Sequence, residues 1–288
     1  MNTFNTSTTF SASLLTDYVF ILSFKGIFTN KKQVFLVYLL FFALIYFAKN
    51  IKMTDYYKLL LQDVRFKEGL TACMNCGVCT AICPAAEFYK YDPRQLCSIV
   101  QTRDNEKIEE LLKSETIWYC GQCMSCKARC PRGNAPALVI SVLRKLSQEL
   151  GFFVESEKGQ QQFALKRTVG DNILNIGYCV HVDTVHPKLH PEQGPVWKWY
   201  FENAEELADR MGGNYNKYGP GALRIIGEKN LDEVRKIFEV TGGKKLNDHI
   251  EEFSKQKAKS TNTSFENEGI NNEYFFQTYI KNSENHQK

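Results

Sequence analysis

The chain has 288 residues, of which 43% are hydrophobic and 24% are charged. This composition is typical of one or two globular domains and excludes a collagenous or largely disordered chain. The formal net charge is +4, and residues 1–52 hold five cations against one acid, Asp17, so the rest of the chain carries 31 charges of each sign. Because phosphate binding requires a local excess of Lys and Arg, nucleic-acid binding is not expected as the main function.

Residues 1–52 contain a strongly apolar stretch. Residues 34–48 carry no charge, and as a helix they would rise about 22 Å, whereas the hydrocarbon core of a bilayer is roughly 30 Å thick. Lysines lie on both sides of the stretch, and no small-residue cleavage site of a secretory signal follows it. Two interpretations stay open: a single membrane anchor, or an extension ahead of a chain that starts at Met53.

Eight of the ten cysteines fall in two runs with the same spacing, C-x2-C-x2-C-x3-C followed by proline. The first run is Cys73, Cys76, Cys79 and Cys83, and the second is Cys120, Cys123, Cys126 and Cys130. In this pattern three thiolates bind one iron–sulfur cluster, and the fourth, beside proline, binds the other cluster. The spacing therefore predicts two 4Fe-4S clusters with crossed ligation. The predicted ligands are Cys73, Cys76, Cys79 and Cys130 for the first cluster, and Cys83, Cys120, Cys123 and Cys126 for the second.

Other uses of clustered cysteines fit the runs less well. Two C-x2-C pairs suffice for a structural zinc ion, so zinc leaves the further cysteine and the proline of each run unexplained. Disulfides require an oxidising compartment and do not favour three cysteines at two-residue gaps. A zinc-stabilised interaction module remains the alternative from another functional class. Gly77 and Gly121 follow cysteines of the runs, and we expect backbone N–H groups to approach the sulfurs there.

Helical signals separate and follow the two runs. Asp92 is placed to cap a helix that opens on Pro93, and Asp104 to cap a second helix. Apolar residues recur at helical spacing over residues 136–150, and Gly151 ends that pattern. No useful length of chain alternates with the period of a strand. The sequence predicts an all-α fold whose helix at 136–150 packs under the clusters.

The segments around the cysteines resemble those of a known family. They read C-M-N-C-G-V-C-T-A-I-C-P from Cys73 and I-W-Y-C-G-Q-C-M-S-C-K-A-R-C-P-R-G from Ile117. This pattern looks like the C subunit of heterodisulfide reductases, and the resemblance covers about residues 55–155. It implies a helical ferredoxin domain that relays electrons between a flavin-containing subunit and a catalytic subunit rich in Cys-Cys-Gly motifs. No catalytic residue is expected in this chain.

The alternative within redox proteins is the iron–sulfur subunit of a quinone-linked dehydrogenase or fumarate reductase. That alternative is favoured if residues 34–48 form an anchor. In either case we expect a location in the cytoplasm, or at the cytoplasmic face of the inner membrane if the leader is real, since cluster assembly needs reduced thiols.

Basic and aromatic residues surround the second run. Lys127, Arg129 and Arg132 could offset the negative charge of the clusters, form a docking patch for an acidic partner, or be ordinary solvated side chains. Trp118 and Tyr119 directly precede the run, and we expect them to shield a cluster from water.

Two cysteines lie outside the runs. Cys97 falls in a helical pattern and is expected to be a buried thiol. Cys179 opens a stretch that could form a mononuclear metal site or a local loop. The other polar members of that stretch are His181, Asp183, His186 and His190.

The rest of the chain gives a domain organisation. We expect a leader (1–52), a helical ferredoxin domain (53–155), a small helical and loop appendage (156–253) and a disordered tail (254–288). Within the appendage, Asn203 and Asn230 are placed to cap helices, and the tail includes a possible docking turn at 274–279.

Overall fold

A computed structural model describes residues 54–187, 190, 193–266 and 273–281. The residues from Asp55 onward form one compact unit, and the apolar stretch at 34–48 lies outside the described residues. Within those residues every regular element is a helix, which confirms the predicted all-α fold. None of the described helices is both long and apolar enough to span a membrane.

Eight α-helices and the 3-10 turn Glu115–Trp118 form the part of the unit that carries the cysteine runs. The helices are α1 (Tyr56–Leu60), α2 (Val64–Gly69), α3 (Val78–Ala81), α4 (Ala85–Phe88), α5 (Pro93–Gln101), α6 (Asn105–Lys113), α7 (Ser125–Arg129) and α8 (Pro136–Glu149). Aspartates at 55, 63, 92 and 104 cap α1, α2, α5 and α6 through side chains that accept hydrogen bonds from first-turn N–H groups. The caps predicted at Asp92 and Asp104 are therefore confirmed.

Helix α8 lies at the centre of this part and contacts α2, α5, α6 and α7. Its apolar face is buried, with Val139 and Leu143 fully enclosed. The contact with α2 is close, because a Cβ at Gly69 would lie 3.1 Å from side-chain atoms of Leu138 and Val139. Gly151 follows α8 at φ +79°, and a Cβ there would lie 2.5 Å from the Phe253 ring, so both predicted ends of this helix hold.

The described residues after α8 form seven further α-helices, with the 3-10 turns Phe152–Glu155 and Val182–Thr184 and the π-helical turns Lys166–Gly170 and Phe276–Lys281. The helices are α9 (Glu157–Leu165), α10 (Asp171–Ile176), α11 (Pro195–Glu202), α12 (Ala204–Arg210), α13 (Glu228–Val240), α14 (Gly243–Ser260) and α15 (Glu273–Phe275). Their main core joins Phe153, Phe163, Ile250, Tyr274 and Phe275.

Three expectations for this region were wrong. Asn203 precedes α12 but its side chain donates to the Trp199 carbonyl and caps nothing. Asn230 lies inside α13, which begins one residue after Gly227. Order does not end at Ser254, since α14 runs through it to Ser260 and Ser254 is fully buried. The composition of α14 misled because its buried stripe holds one residue per turn and includes a serine.

Tyr274 and Phe275 are also buried rather than presented for docking. The Tyr274 ring packs edge-on against Phe163 of α9, with ring centroids 5.4 Å apart. The turn expected at 274–279 is therefore part of the core of the appendage.

Candidate metal centre

The two cysteine runs adopt the same local backbone. Two residues after the first cysteine of each run, Asn75 and Gln122 take left-handed conformations, at φ 59° and 53°. Their N–H groups donate to the Sγ atoms of Cys73 and Cys120, both at 3.4 Å. N–H donors to cysteine sulfur are a common feature of iron–sulfur sites and stabilise the thiolate.

A second pair of equivalent positions starts the short helices inside the runs. Gly77 precedes α3 at φ 81°, and Met124 precedes α7 at φ 61°. Gly121 shows no such conformation, so Gly77 and Met124 are the matching positions. Aligning the two runs residue by residue would have revealed this match.

The cysteines of the runs line two cavities, each combining three cysteines of one run with one of the other. The first cavity encloses about 20 Å³ and is lined by Cys73, Cys76, Cys79 and Cys130. The second cavity encloses about 220 Å³ and is lined by Cys83, Cys120, Cys123 and Cys126. Helices α3 and α7, which carry the middle of each run, contact each other.

Burial differs among the thiols in the same way in both cavities. Cys79 and Cys126 are each 9% exposed, whereas Cys76 and Cys123 are exposed. Burial raises the pKa of Cys79, and the neighbouring Cys73 raises it further; burial likewise raises the pKa of Cys126. The Ser125 hydroxyl, 3.3 Å from Cys123, lowers the pKa of that thiol. All ten cysteines are free thiols.

The donor set of both cavities fits an iron–sulfur cluster. Four cysteines of the two runs line each cavity, Cys97 is a fifth cysteine in the lining of the first, and no His, Asp or Glu lines either. Cysteine thiolates are the usual ligands of 4Fe-4S clusters. Over the described residues, no three His, Cys, Asp or Glu side chains lie close enough to hold a single metal ion. A polynuclear cluster does not require its four ligands that close, because each thiolate binds a different iron.

The second cavity also contains a buried hydroxyl. Tyr91 lines this cavity and is 4% exposed, and its hydroxyl makes no hydrogen bond in the described part of the chain. Burial raises the pKa of Tyr91, and the adjacent Cys120 raises it further. The Cys120 sulfur, as a ligand of a cluster, would be an acceptor for this hydroxyl.

Arg144 of α8 fixes the backbone that leads into the second run. Its Nε donates to the Ile117 carbonyl and its Nη2 to the Cys120 carbonyl, both at 2.7 Å. Its guanidinium also lies over the Trp118 ring, 5.5 Å from the centroid. Trp118 itself lines a separate cleft of about 850 Å³, whereas Tyr119 lines the second cavity. Of the two rings expected to shield a cluster, only Tyr119 lines a cysteine cavity.

The first cavity has a more polar wall. Arg94 and Arg132 line it, and Arg94 pairs with Asp92 at 2.8 Å. Although burial opposes the shift, hydrogen bonds from Thr80 and Arg94 hold the pKa of Asp92 below its usual range. Cys97 is 1% exposed, which confirms a buried thiol, and it lines this same cavity.

Lys127, Arg129 and Arg132 are exposed, and none of them forms an ion pair with another described residue. Their use as a docking patch stays a prediction.

The stretch from Cys179 to His190 forms local loop structure in its described residues. His181 is buried, and its Nδ1 accepts a hydrogen bond from the Asp183 N–H at 3.3 Å. Asp183 in turn accepts hydrogen bonds from Tyr215 and Asn216. The polar groups therefore bond to one another and to the chain, as the loop interpretation requires.

Comparison with known proteins identifies the family. Residues 68–134 match the family described as a 4Fe-4S dicluster domain. Over 144 residues the chain is 30% identical to the C2 subunit of the H(2)/formate:CoB-CoM heterodisulfide,ferredoxin reductase of Methanococcus maripaludis, covering 48% of this chain and 71% of that protein. The chain belongs to the family of heterodisulfide reductase C subunits. Two 4Fe-4S clusters are the cofactors that the dicluster domain implies.

Other members of the family of heterodisulfide reductase C subunits match a smaller share of their own length. The chain is 46% identical over 115 residues to the C subunit of the Ferredoxin:CoB-CoM heterodisulfide reductase of Methanosarcina acetivorans, which is 38% of this chain and 45% of that protein. It is 28% identical over 126 residues to the iron-sulfur C subunit of the CoB--CoM heterodisulfide reductase of Methanopyrus kandleri, covering 42% of this chain and 64% of that protein. The chain thus spans 45% of the length of the first of these two relatives and 64% of the second.

Proposed function

We propose that this chain carries single electrons through two 4Fe-4S clusters, as the iron–sulfur subunit of a heterodisulfide-reductase-type complex. The observation that carries the proposal is the mixed lining of the two cavities, each with three cysteines of one run and the last cysteine of the other. A bound 4Fe-4S cluster supplies a one-electron carrier that changes little in structure between its two oxidation states.

The proposed ligands follow from the same lining. Cys73, Cys76, Cys79 and Cys130 would hold the first cluster, and Cys83, Cys120, Cys123 and Cys126 the second. The left-handed residues Asn75 and Gln122 turn N–H groups toward the sulfurs, which favours the ionised thiolates that iron requires. Each cavity includes one exposed cysteine, Cys76 or Cys123, so a redox partner could approach both clusters closely.

The partners we propose are those of the family. A flavin-containing subunit would donate or accept electrons at one cluster, and a catalytic subunit with Cys-Cys-Gly motifs at the other. The names of the relatives refer to ferredoxin and to the CoB-CoM heterodisulfide. We propose that the complex of this chain exchanges electrons with compounds related to these. A site on the cytoplasmic side would keep the unbound thiols reduced during cluster assembly.

The proposed domain limits are 53–155 for the ferredoxin domain and 156–253 for the appendage, which α14 extends to residue 260. The comparisons do not favour a quinone-linked dehydrogenase subunit or a zinc-stabilised module.

Metal and sulfide analysis tests this proposal. The full chain, isolated without oxygen, should contain about eight irons and about eight acid-labile sulfides and should lose its brown colour on reduction. Stoichiometric zinc without sulfide would contradict the proposal. Isolation of the native complex, followed by identification of its subunits, tests the proposed partners; copurification with quinone-reducing membrane subunits would contradict them.

A further inference from the structure

Tyr91 carries a buried hydroxyl without a partner among the described residues. Burying a hydroxyl in this way is unfavourable, so such groups in folded proteins usually find an acceptor in the protein, in a bound group or in water. Because Tyr91 lines the second cavity, that acceptor is expected inside it.

Neighbouring rings hold the phenol in place. The Tyr91 ring packs edge-on against Tyr119, with centroids 6.2 Å apart and planes at 87°. Tyr119 in turn lies parallel to Tyr89 at 4.3 Å. Tyr91 is followed directly by Asp92, the cap of α5, so its backbone is also anchored. The hydroxyl therefore stays buried in the cavity wall.

The wall of the second cavity offers few acceptors for this hydroxyl. Its side chains are mainly apolar, and no charged residue lines it. Ser125 already contacts Cys123. Sulfur atoms remain, and Cys83 and Cys120 pack against the same core cluster as Tyr91. Cys120 directly follows Tyr119, the ring that holds Tyr91, which favours Cys120 as the acceptor.

We propose that Tyr91 donates a hydrogen bond to the Cys120 sulfur of the second cluster and raises the reduction potential of that cluster; this inference rests on the proposed function. Reduction adds negative charge to the cluster and its thiolates, so a donor to sulfur stabilises the reduced form more than the oxidised form. The first cavity has no tyrosine in its lining. The buried polar groups in its lining are the Cys97 thiol, which is a weak donor, and the Asn134 amide, which is already bonded to Thr71 and Ala72.

Replacement of the hydroxyl tests this role of Tyr91. In the full chain isolated without oxygen, redox titration followed by electron paramagnetic resonance should give one potential for each cluster. In Tyr91→Phe the equilibrium constant for reduction of the second cluster should fall by about tenfold, equal to about 59 mV for one electron. The first cluster should keep its potential and serves as the internal control.

Tyr89→Phe is the matched control, because it removes a hydroxyl from the ring stacked on Tyr119, outside the lining of the cavity, and should leave both potentials unchanged. Unchanged potentials in Tyr91→Phe with both clusters present would overturn the inference. If Tyr91→Phe loses the second cluster, incorporation of 3-fluorotyrosine decides, since a stronger phenol donor should raise only the second potential; no rise would overturn the inference. Absence of two clusters from the unsubstituted chain would instead contradict the proposed function.

Discussion

The two cysteine cavities share a backbone plan but differ in their walls. Both place left-handed residues at the same two positions of the run and direct an N–H toward the first cysteine. The first is narrow and has Arg94 and Arg132 in its wall, whereas the second encloses about 220 Å³ behind Tyr91, Tyr119 and Phe88 without a charged side chain. The cysteine spacing thus selects the type of cluster, while the walls are free to set different potentials.

Arg144→Met should produce the largest difference between the two cavities, because it acts on the second cavity alone. The substitution removes two hydrogen bonds to carbonyls that lead into the second run. Hydrogen bonds from a charged donor contribute about 1.5–3 kcal/mol each, so we expect a loss of about 3 kcal/mol in the free energy of unfolding. Urea unfolding and the iron content measure the effect, and the second cluster should be lost first.

Lys145→Met is the control for that change, since Lys145 is the next residue of α8. The Lys145 side chain is 43% exposed, and Asp63 keeps its ion pair with Arg65 when Lys145 is replaced, so the loss should be less than about 1 kcal/mol. Equal losses in the two variants would show that Arg144 has no special structural role.

Substitutions at Gly77 and at Met124 should change the free energy of unfolding by different amounts. Gly77→Ala puts a Cβ on a left-handed backbone, where the nearest atom is 4.0 Å away, so strain and not contact makes it cost about 1 kcal/mol. Met124→Gly relieves the same strain but removes a side chain that lines the second cavity. We expect a change near zero there, measured by urea unfolding. A larger loss in Met124→Gly than in Gly77→Ala would refute the equivalence of the two positions.

The sequence predicts the helices around the clusters better than the appendage. Helices α5, α6 and α8 carry their own signals, with capping aspartates at 92 and 104 and a terminating glycine at 151. Helix α14 does not, because it buries only a narrow stripe and its fold depends on contacts with α9.

The proposed cysteine ligands follow from local spacing, whereas the groups around them do not. Arg144 lies 24 residues from the carbonyl of Cys120 that it binds, and Tyr91 is separated from that run by α5 and α6. Such contacts follow from the packing of the helices, and no local sequence pattern predicts them.

The stability of the first cavity should depend more on pH than that of the second. Beside the first cavity, Asp92 accepts a hydrogen bond from Thr80 and forms an ion pair with Arg94. The folded pKa of Asp92 is lowered, so its ionised form stabilises the fold above its unfolded pKa of about 3.9 and the contribution is lost as pH falls through the folded pKa. In Asp92→Asn the free energy of unfolding, measured with urea, should therefore fall less between about pH 5 and pH 3 than it does in the unsubstituted chain. The difference should be less than about 1 kcal/mol. An unchanged dependence on pH would contradict this role.

Arg94→Gln should produce the smallest of these effects, a change in the potential of the first cluster alone. The cation lines the first cavity and its charge is partly balanced by Asp92. We expect the potential of the first cluster to fall, by less than the tenfold change in reduction constant at Tyr91, with no shift in the second cluster. Redox titration checks this, and a shift confined to the second cluster would refute the assignment of Arg94 to the first.

The last cysteine of each run distinguishes crossed ligation from ligation of each cluster by a single run. Electron paramagnetic resonance of reduced Cys130→Ala should match that of Cys76→Ala, and Cys83→Ala should match Cys123→Ala, because each pair removes ligands of the same cluster. Cys179→Ala, at an exposed thiol outside both cavities, should retain both signals. If Cys130→Ala matched Cys123→Ala instead, each run would hold its own cluster and the account would be contradicted.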